Sequence, residues 1–201
     1  SSETPTHRSI RGPVKRARAE SYLIISIATF AATVILTRLF LDITGYPHVG
    51  NSVLHIAHAL WGGLLLIIAA ILPLILINDW ALLLSAVLSG LGVGLFIDEV
   101  GKFITQKNDY FFPPAAPVVY GFFMILVLVL LVVRRTQRAQ PRNELYLALD
   151  ALHEVVEGDL DAAEWKALFD RLTIARQSDD PQIAGLAAAL AAQPVSVAGG
   201  A

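Results

Sequence analysis

The chain has no cysteine among its 201 residues, and Asp, Glu, Lys and Arg make up only 16% of it. The lack of cysteine excludes disulfides, thioether-linked haem and thiolate metal sites. A soluble domain usually contains about 25% charged residues, whereas 55% of this chain is hydrophobic and its mean hydropathy is +0.61. A surface this apolar requires lipid around it, and the composition therefore predicts an integral membrane protein.

Several motifs of catalysis and nucleotide binding are also missing. The sequence contains no G-x-x-x-x-G-K-[ST] loop, no G-x-S-x-G elbow, no H-E-x-x-H and no Rossmann fingerprint. Their absence disfavours nucleotide hydrolysis and serine-hydrolase chemistry. The basic N-terminal arm is better explained by contact with anionic lipid than by nucleic acid, so we expect no nucleic-acid partner.

Four apolar runs are long enough to cross a bilayer, which takes about 20 residues. The first run is too long for a signal peptide and ends without a small-residue cleavage site, so we expect it to be retained. The sequence therefore predicts an all-α, four-helix transmembrane bundle over residues 21–134, preceded by a basic arm over residues 1–20. The predicted spans cover residues 22–41, 53–77, 80–104 and 114–133.

The basic residues near the spans predict their orientation, because short cytoplasmic flanks are rich in Lys and Arg. The loops after the first and third spans hold far fewer cations than the two ends of the membrane region. We therefore expect a multi-pass membrane protein with both termini in the cytoplasm. The cations at the two ends are Arg8, Arg11, Lys15, Arg16, Arg18, Arg134, Arg135, Arg138 and Arg142.

The segment over residues 135–193 is predicted to form short cytoplasmic helices. Apolar residues recur at helical spacing from Asn143 onward. Asp161, with Glu164 three residues later, resembles a capping box that opens a second helix, and an alanine-rich third helix is predicted from Pro181. This segment is a candidate surface for a membrane-complex partner or for homo-oligomerisation, while residues 194–201 are predicted to be disordered.

Ionisable residues lie at one depth in three of the spans, and such residues within a membrane indicate a functional site. At 1.5 Å per residue, all of them fall near the outer edge of the hydrocarbon layer. Two imidazoles and one or two carboxylates can bind Zn, Fe or Mn. On a helix, histidines three residues apart point to one side. The candidate metal ligands are His55, His58, Asp98 and Glu99.

Further ionisable residues support this cluster. Lys102 is spaced to pair with Asp98 or Glu99, and either Glu99 or Lys102 is a candidate for proton transfer in catalysis. Arg38 is spaced to pair with Asp42, and it can also reach across to Glu99. The remaining members, just outside the layer, are His48 and Asp109.

Three interpretations of the cluster remain open on the sequence alone. It is a metal site acting on a lipid or small molecule, a proton or ion path, or a purely structural network of ion pairs. The sequence also leaves open whether the protein is an enzyme, and a structural or regulatory membrane subunit remains an alternative.

Small residues predict close helix packing in the second and third spans. Gly90, Gly94 and Asp98 follow one another at intervals of four and share one face of the third span. Gly62 lies four residues after His58 in the second span. Because a tight turn joins these two spans, we expect their small-residue faces to meet.

The third span ends in the block GLFIDEVGKFIT, from Gly94 to Thr105, which NDYFF and a proline-rich segment follow. This block resembles an uncharacterised family of bacterial four-span integral membrane proteins. The resemblance implies histidines at the start of the second span and a cytoplasmic helical tail. It supports a bacterial plasma membrane location and implies no activity.

Overall fold

The structure is a computed structural model, and it describes residues 12–44, 50–51, 54–55, 58–104, 115–135, 139–158 and 160–193. At residues 41, 50–51, 54–55, 58, 100–104, 115–116 and 157 it describes the backbone alone. The predicted all-α class is confirmed; the described residues otherwise contain one short hairpin, whose two strands have two residues each. The helices are α1 (Ala19–Thr44), α2 (His58–Ile75), α3 (Asp79–Ile104), α4 (Ala115–Arg134), α5 (Pro141–Glu157), α6 (Ala162–Ala175) and α7 (Pro181–Ala191).

Within the part of the chain that the structure describes, three helices are long and apolar enough to cross a membrane by length and composition. These candidate spans are Ala19–Thr44, Asp79–Glu99 and Pro117–Arg134. The apolar part of α2, Ala59–Ile75, is shorter.

The start of α2 differs from the prediction. Strand β1 (Gly50–Asn51) pairs antiparallel with β2 (Leu54–His55), and α2 begins only at His58. An extended backbone that hydrogen-bonds to a neighbouring strand cannot also form helical bonds, so His55 lies outside the helix. The prediction that His55 and His58 share one helical face is therefore wrong.

The chain divides into two compact units. The first comprises Ser1–Ala17 and Gln137–Ala201, and the second comprises Arg18–Thr136. Of the predicted N-terminal arm, residues 12–17 are described and belong to the first unit. Residues 194–201, predicted to be disordered, lie outside the described residues.

In the second unit, α3 is the central helix. It packs closely against both α1 and α2, while α4 packs mainly against α1. Within the described residues, α1 and α2 make no close approach to each other. Phe30 of α1 is buried against α4, where its ring centroid lies 5.8 Å from that of Phe122 and 6.4 Å from that of Phe123.

In the first unit, α5, α6 and α7 surround an apolar core, as the predicted helical rhythm requires. The capping box at Asp161 is confirmed: its Oδ1 accepts from the amides of Ala163 (2.7 Å) and Glu164 (2.8 Å), and Glu164 Oε2 accepts from Asp161 N. Gly158 follows the last residue of α5, and its φ of 77° suits glycine at a helix C-terminus. The buried core consists of Leu145, Ala148, Leu160, Leu168, Leu172, Ala175 and Ala187.

Candidate functional site

The predicted stripe on α3 faces α1. A Cβ added to Gly90 would collide with Thr29 and with the Ser26 carbonyl, and one added to Gly94 would come within 2.7 Å of Thr33 Cβ. Three contacting pairs follow in the same order along both helices, which therefore run parallel: Thr29–Gly90, Thr33–Gly94 and Arg38–Asp98.

Helix α2 contacts nearly the opposite face of α3. A Cβ on Gly62 would meet the Gly92 carbonyl oxygen at 2.7 Å, and Ser85 Oγ donates to the Ala69 carbonyl at 2.7 Å. Gly92 lies two residues, about 200° around the helix, from either Gly90 or Gly94. The expectation that the Gly90–Gly94–Asp98 stripe meets α2 is therefore wrong, because that stripe is occupied by α1 and Gly92 meets Gly62 instead.

The hydroxyl groups at the α1–α3 contact are satisfied within α1. Thr29 Oγ1 donates to the carbonyl of Ile25 (2.8 Å), and Thr33 Oγ1 donates to that of Thr29 (2.7 Å). Such bonds to the preceding turn remove the cost of a polar group in an apolar interface. These threonines therefore serve as small packing residues beside the α3 glycines.

Arg38 and Asp98 form an ion pair across the end of this contact that is nearest the C-termini of α1 and α3. The distance between Arg38 Nε and Asp98 Oδ1 is 2.5 Å. The Asp98 side chain is 7% exposed and that of Arg38 is 44% exposed. We predicted Asp42 or Glu99 as the partner of Arg38, but the stripe on α3 presents Asp98 to α1. Asp42 is exposed at the end of α1.

Glu99 is buried, with 4% of its surface exposed. It has a polar interaction of its own, and among the described residues no buried side-chain nitrogen or oxygen lacks a hydrogen-bond partner. Seven residues separate Gly92 from Glu99, which places both on the α3 face that contacts α2. Asp98 and Glu99 thus lie on two different faces of α3.

The remaining predicted site residues are only partly described. Helix α2 begins at His58, β2 ends at His55, and Lys102 lies in the last turn of α3; the structure describes the backbone alone at all three. His48 and Asp109 lie outside the described residues. Among the side chains that the structure does describe, no group of three or more His, Asp or Glu could hold a metal ion. The predicted metal site involves side chains beyond these and stays a prediction.

A second set of ion pairs, which the sequence reasoning missed, lies at the opposite ends of the helices. Arg134 Nε lies 2.6 Å from Glu20 Oε1, joining the end of α4 to the start of α1. Arg18 Nη1 lies 3.6 Å from Asp79 Oδ2, joining the start of α1 to that of α3. The sequence signal for these pairs was the presence of opposite charges beside spans on the same predicted side of the membrane.

The first unit has two notable surface features. Arg142 Nη1 donates to the carbonyl of Gly12 at 3.2 Å, and its guanidinium lies 5.2 Å from the centre of the Tyr146 ring. Beyond this contact, Tyr146, Leu149 and Val156 form an exposed apolar stripe along one face of α5, with Tyr146 54% and Val156 86% exposed.

Compared with known proteins, the chain matches no family model, no curated protein and no solved structure. The resemblance of the block at the end of α3 to a bacterial membrane-protein family therefore stays a prediction.

Proposed function

We propose that the chain is a four-span protein of the bacterial plasma membrane. Support comes from helix directions: α1 and α3 run parallel, so the chain must return across the same thickness between them. Among the described residues, α2 is the one helix between α1 and α3. It runs antiparallel to α3, since the seven residues forward from Gly62 to Ala69 correspond to seven residues backward from Gly92 to Ser85. Its 18 residues extend about 27 Å, close to the roughly 30 Å of a hydrocarbon core.

Contacts between residues near the start of α1 and residues near the end of α4 support an even number of spans. Gly12 precedes α1 and Arg142 follows α4, yet the two are joined by a hydrogen bond. Glu20 and Arg134, at the start of α1 and the end of α4, are paired as well. Both termini then share one side, and the concentration of Lys and Arg there indicates the cytoplasm.

Single cysteines test this topology, because the native chain contains none. We expect Asp42→Cys to react with a membrane-impermeant maleimide in intact cells. Pro13→Cys and Gln177→Cys should react only after permeabilisation; all three positions are exposed. Reaction of either terminal cysteine in intact cells would overturn the proposed orientation, and opposite behaviour of the two would indicate an odd number of spans.

Within this architecture, the function supported best is that of a structural or regulatory membrane subunit that binds a partner protein through α5–α7. The observation that carries this proposal is the apolar core of α5–α7, formed entirely by residues from Leu145 to Ala191. A segment that served only as an amphipathic tail on the lipid surface would leave its apolar face for the membrane. Here that face is buried within the unit.

The exposed stripe on α5 is the proposed binding surface. Its members Tyr146, Leu149 and Val156 lie on the side of α5 next to the core face, where the apolar face of a partner helix can pack against them. From Gln137 to Ala201 the chain carries ten Asp and Glu against five Lys and Arg. The expected partner therefore presents an apolar face with basic flanks.

Site-specific photocrosslinking in native membranes tests this binding. A crosslinking amino acid at position 146, 149 or 156 should give one adduct of defined mass. The same probe at Lys166, an exposed position on α6, is the matched control and should give none. Failure of all three stripe positions to form an adduct, or the same adduct at Lys166, would argue against the stripe.

A second candidate is the divalent-metal site at the outer level, acting on a lipid or small molecule. The register of α2 and α3 favours it. Gly62 lies against Gly92 and Phe96, so the His58 backbone, four residues earlier in an antiparallel helix, is within one turn of Glu99 in depth. A histidine and a buried carboxylate at one depth are two of the ligands that Zn²⁺ needs.

Metal analysis of the purified protein tests this candidate. We expect about one divalent ion per chain and its loss in the His55→Ala/His58→Ala double variant, while His153→Ala, which removes a histidine from α5, should retain it. Wild-type protein without stoichiometric metal after purification free of chelators would exclude the site.

A further inference from the structure

The Arg38–Asp98 pair leaves part of a charged group exposed at the membrane surface. A guanidinium carries five N–H donors, and the described residues give that of Arg38 one partner, Asp98 Oδ1, through Nε. Asp98 is buried whereas Arg38 is half-exposed. The pair therefore anchors the guanidinium at one nitrogen and leaves its remaining donors available on the outside of α1.

The outside of α1 at this position is apolar. Ile35, three residues before Arg38 and next to it on the helix surface, is exposed, as are Leu39 and Ile43. In a membrane protein such side chains face lipid. The remaining donors of Arg38 thus lie among lipid-facing residues, on the surface of the helix that α3 leaves uncovered.

The depth of Arg38 corresponds to the outer headgroups. Eighteen residues separate it from Glu20, which pairs with Arg134 at the other end of the helices. This distance is about 27 Å along α1, close to the hydrocarbon thickness of roughly 30 Å. With Glu20 at the inner boundary, the Arg38 backbone lies within one turn of the outer boundary, and its long side chain can extend to the level of the outer phosphate groups.

We propose that Arg38, oriented by Asp98, binds the phosphate group of an outer-leaflet phospholipid. Guanidinium donates two parallel hydrogen bonds to phosphate oxygens, and its planar arrangement of donors suits this anion better than an ammonium does. The buried Asp98 holds the group in place, which reduces the ordering that binding requires. This inference requires that the helices span a membrane, but it is independent of any partner of α5–α7.

One further charge faces this site. Asp42, exposed one turn beyond Arg38 on the same side of α1, places a negative charge near the bound phosphate. Its repulsion weakens lipid binding by a modest factor. We therefore expect Asp42→Asn to bind phospholipid more tightly than wild type.

Native mass spectrometry of the full chain in detergent tests the proposal by titration with four probes. Phosphatidylglycerol and phosphatidylcholine carry a phosphodiester, digalactosyldiacylglycerol is a lipid without phosphate, and inorganic phosphate is the anion alone. We expect both phospholipids to bind at one site per chain and the galactolipid to bind at least about tenfold more weakly, the effect of losing one charge-assisted interaction. Equal binding of the galactolipid would overturn phosphate recognition, and saturation by inorganic phosphate that displaces the phospholipid would assign the site to free phosphate.

The decisive comparison is between Asp98→Asn and Asp98→Asn/Arg38→Gln, because neither leaves an unpaired buried carboxylate. The single variant should retain phospholipid binding, and the double variant should lose about tenfold in affinity. Arg171→Gln removes an arginine that faces Glu144 at 4.0 Å in the first unit and should bind as wild type does. Equal affinities in Asp98→Asn and the double variant would overturn the role of Arg38.

Discussion

The helices α1–α4 and α5–α7 pack with opposite kinds of residue at their contacts. Between α1, α2 and α3 the contacts are made by Gly62, Gly90, Gly92 and Gly94, while most large apolar side chains, such as Ile35 and Leu74, point outward. Between α5, α6 and α7 the contacts are made instead by buried leucines. These are Leu145, Leu160, Leu168 and Leu172.

The difference is the one that lipid around α1–α4 and water around α5–α7 would produce. In water, burial of apolar surface drives helices together. In lipid that driving force is absent, because the acyl chains are as apolar as leucine, and helices associate through close backbone approach and polar contacts. Large apolar residues such as leucine therefore stabilise α5–α7 when they are buried, whereas in α1–α4 they are suited to the exposed surface.

Polar groups also differ between the two parts. In α1–α4 the described charged pairs lie at the helix ends: Arg38–Asp98 at one level, and Glu20–Arg134 and Arg18–Asp79 at the other. In α6 and α7 aspartates cap the first turn, at Asp161 and Asp180. The described charged pairs thus lie at the ends of long apolar helices in one unit, whereas the aspartates cap the starts of helices in the other.

The largest effect should come from a side chain placed between α1 and α3. We expect Gly90→Leu to reduce the free energy of unfolding by about 3 kcal/mol or more, because the Ser26 carbonyl cannot rotate away from the new atoms. Gly63→Leu is the matched control, since a Cβ there meets nothing within 4 Å. Unfolding by SDS, followed by fluorescence of Trp61 and Trp80 in a Trp165→Phe background, measures both. Equal destabilisation by the two would contradict the assigned packing.

In α5–α7 we expect the opposite change, the loss of a large side chain, to lower the free energy of unfolding. Leu168 is 2% exposed, and Leu168→Ala should destabilise this unit by about 3 kcal/mol through lost burial and a cavity. The exposed Leu186 is the control, and Leu186→Ala should have little effect. Thermal unfolding followed through Trp165, with Trp61 and Trp80 replaced by Phe, reports on this unit. Similar losses in the two variants would show that the unit lacks the described core.

The outer ion pair should have an intermediate effect. Arg38→Gln leaves Asp98 buried without its cation and should cost about 1–2 kcal/mol, a value reduced because Arg38 is half-exposed. Adding Asp98→Asn should recover part of that loss. A double-mutant cycle in SDS unfolding measures the coupling, and strictly additive losses would mean that the two side chains do not interact.

The smallest effect should come from the helix cap. Asp161→Ala removes an acceptor for two backbone amides and should cost about 1 kcal/mol, whereas Asp180 accepts from Gln182 N alone and its loss should cost less. Asp170→Ala, on the exposed surface of α6, should be nearly neutral. The midpoint of thermal unfolding compares the three alanine variants. We expect the smallest loss of stability at Asp170, a larger one at Asp180 and the largest at Asp161.

The sequence by itself determined where the helices lie and what surrounds them. The apolar runs and basic flanks predicted α1, α3 and α4 within a few residues, and the rhythm after Asn143 and the Asp161–Glu164 spacing predicted α5 and α6. It also placed Arg38, Asp98 and Glu99 at one depth, since 1.5 Å per residue converts sequence distance into height along a helix. These properties are local or periodic, and they need no knowledge of neighbours.

Only the tertiary structure decided which helix meets each face. Periodicity groups Gly90, Gly94 and Asp98 on one side of α3, but the rotation of α3 between its neighbours turns that side to α1 and gives Asp98, not Glu99, to Arg38. Because β1 pairs with β2, His55 lies in a strand and α2 begins only at His58. Rotation and strand pairing depend on contacts between residues far apart in the chain, and for that reason the sequence pattern left them open.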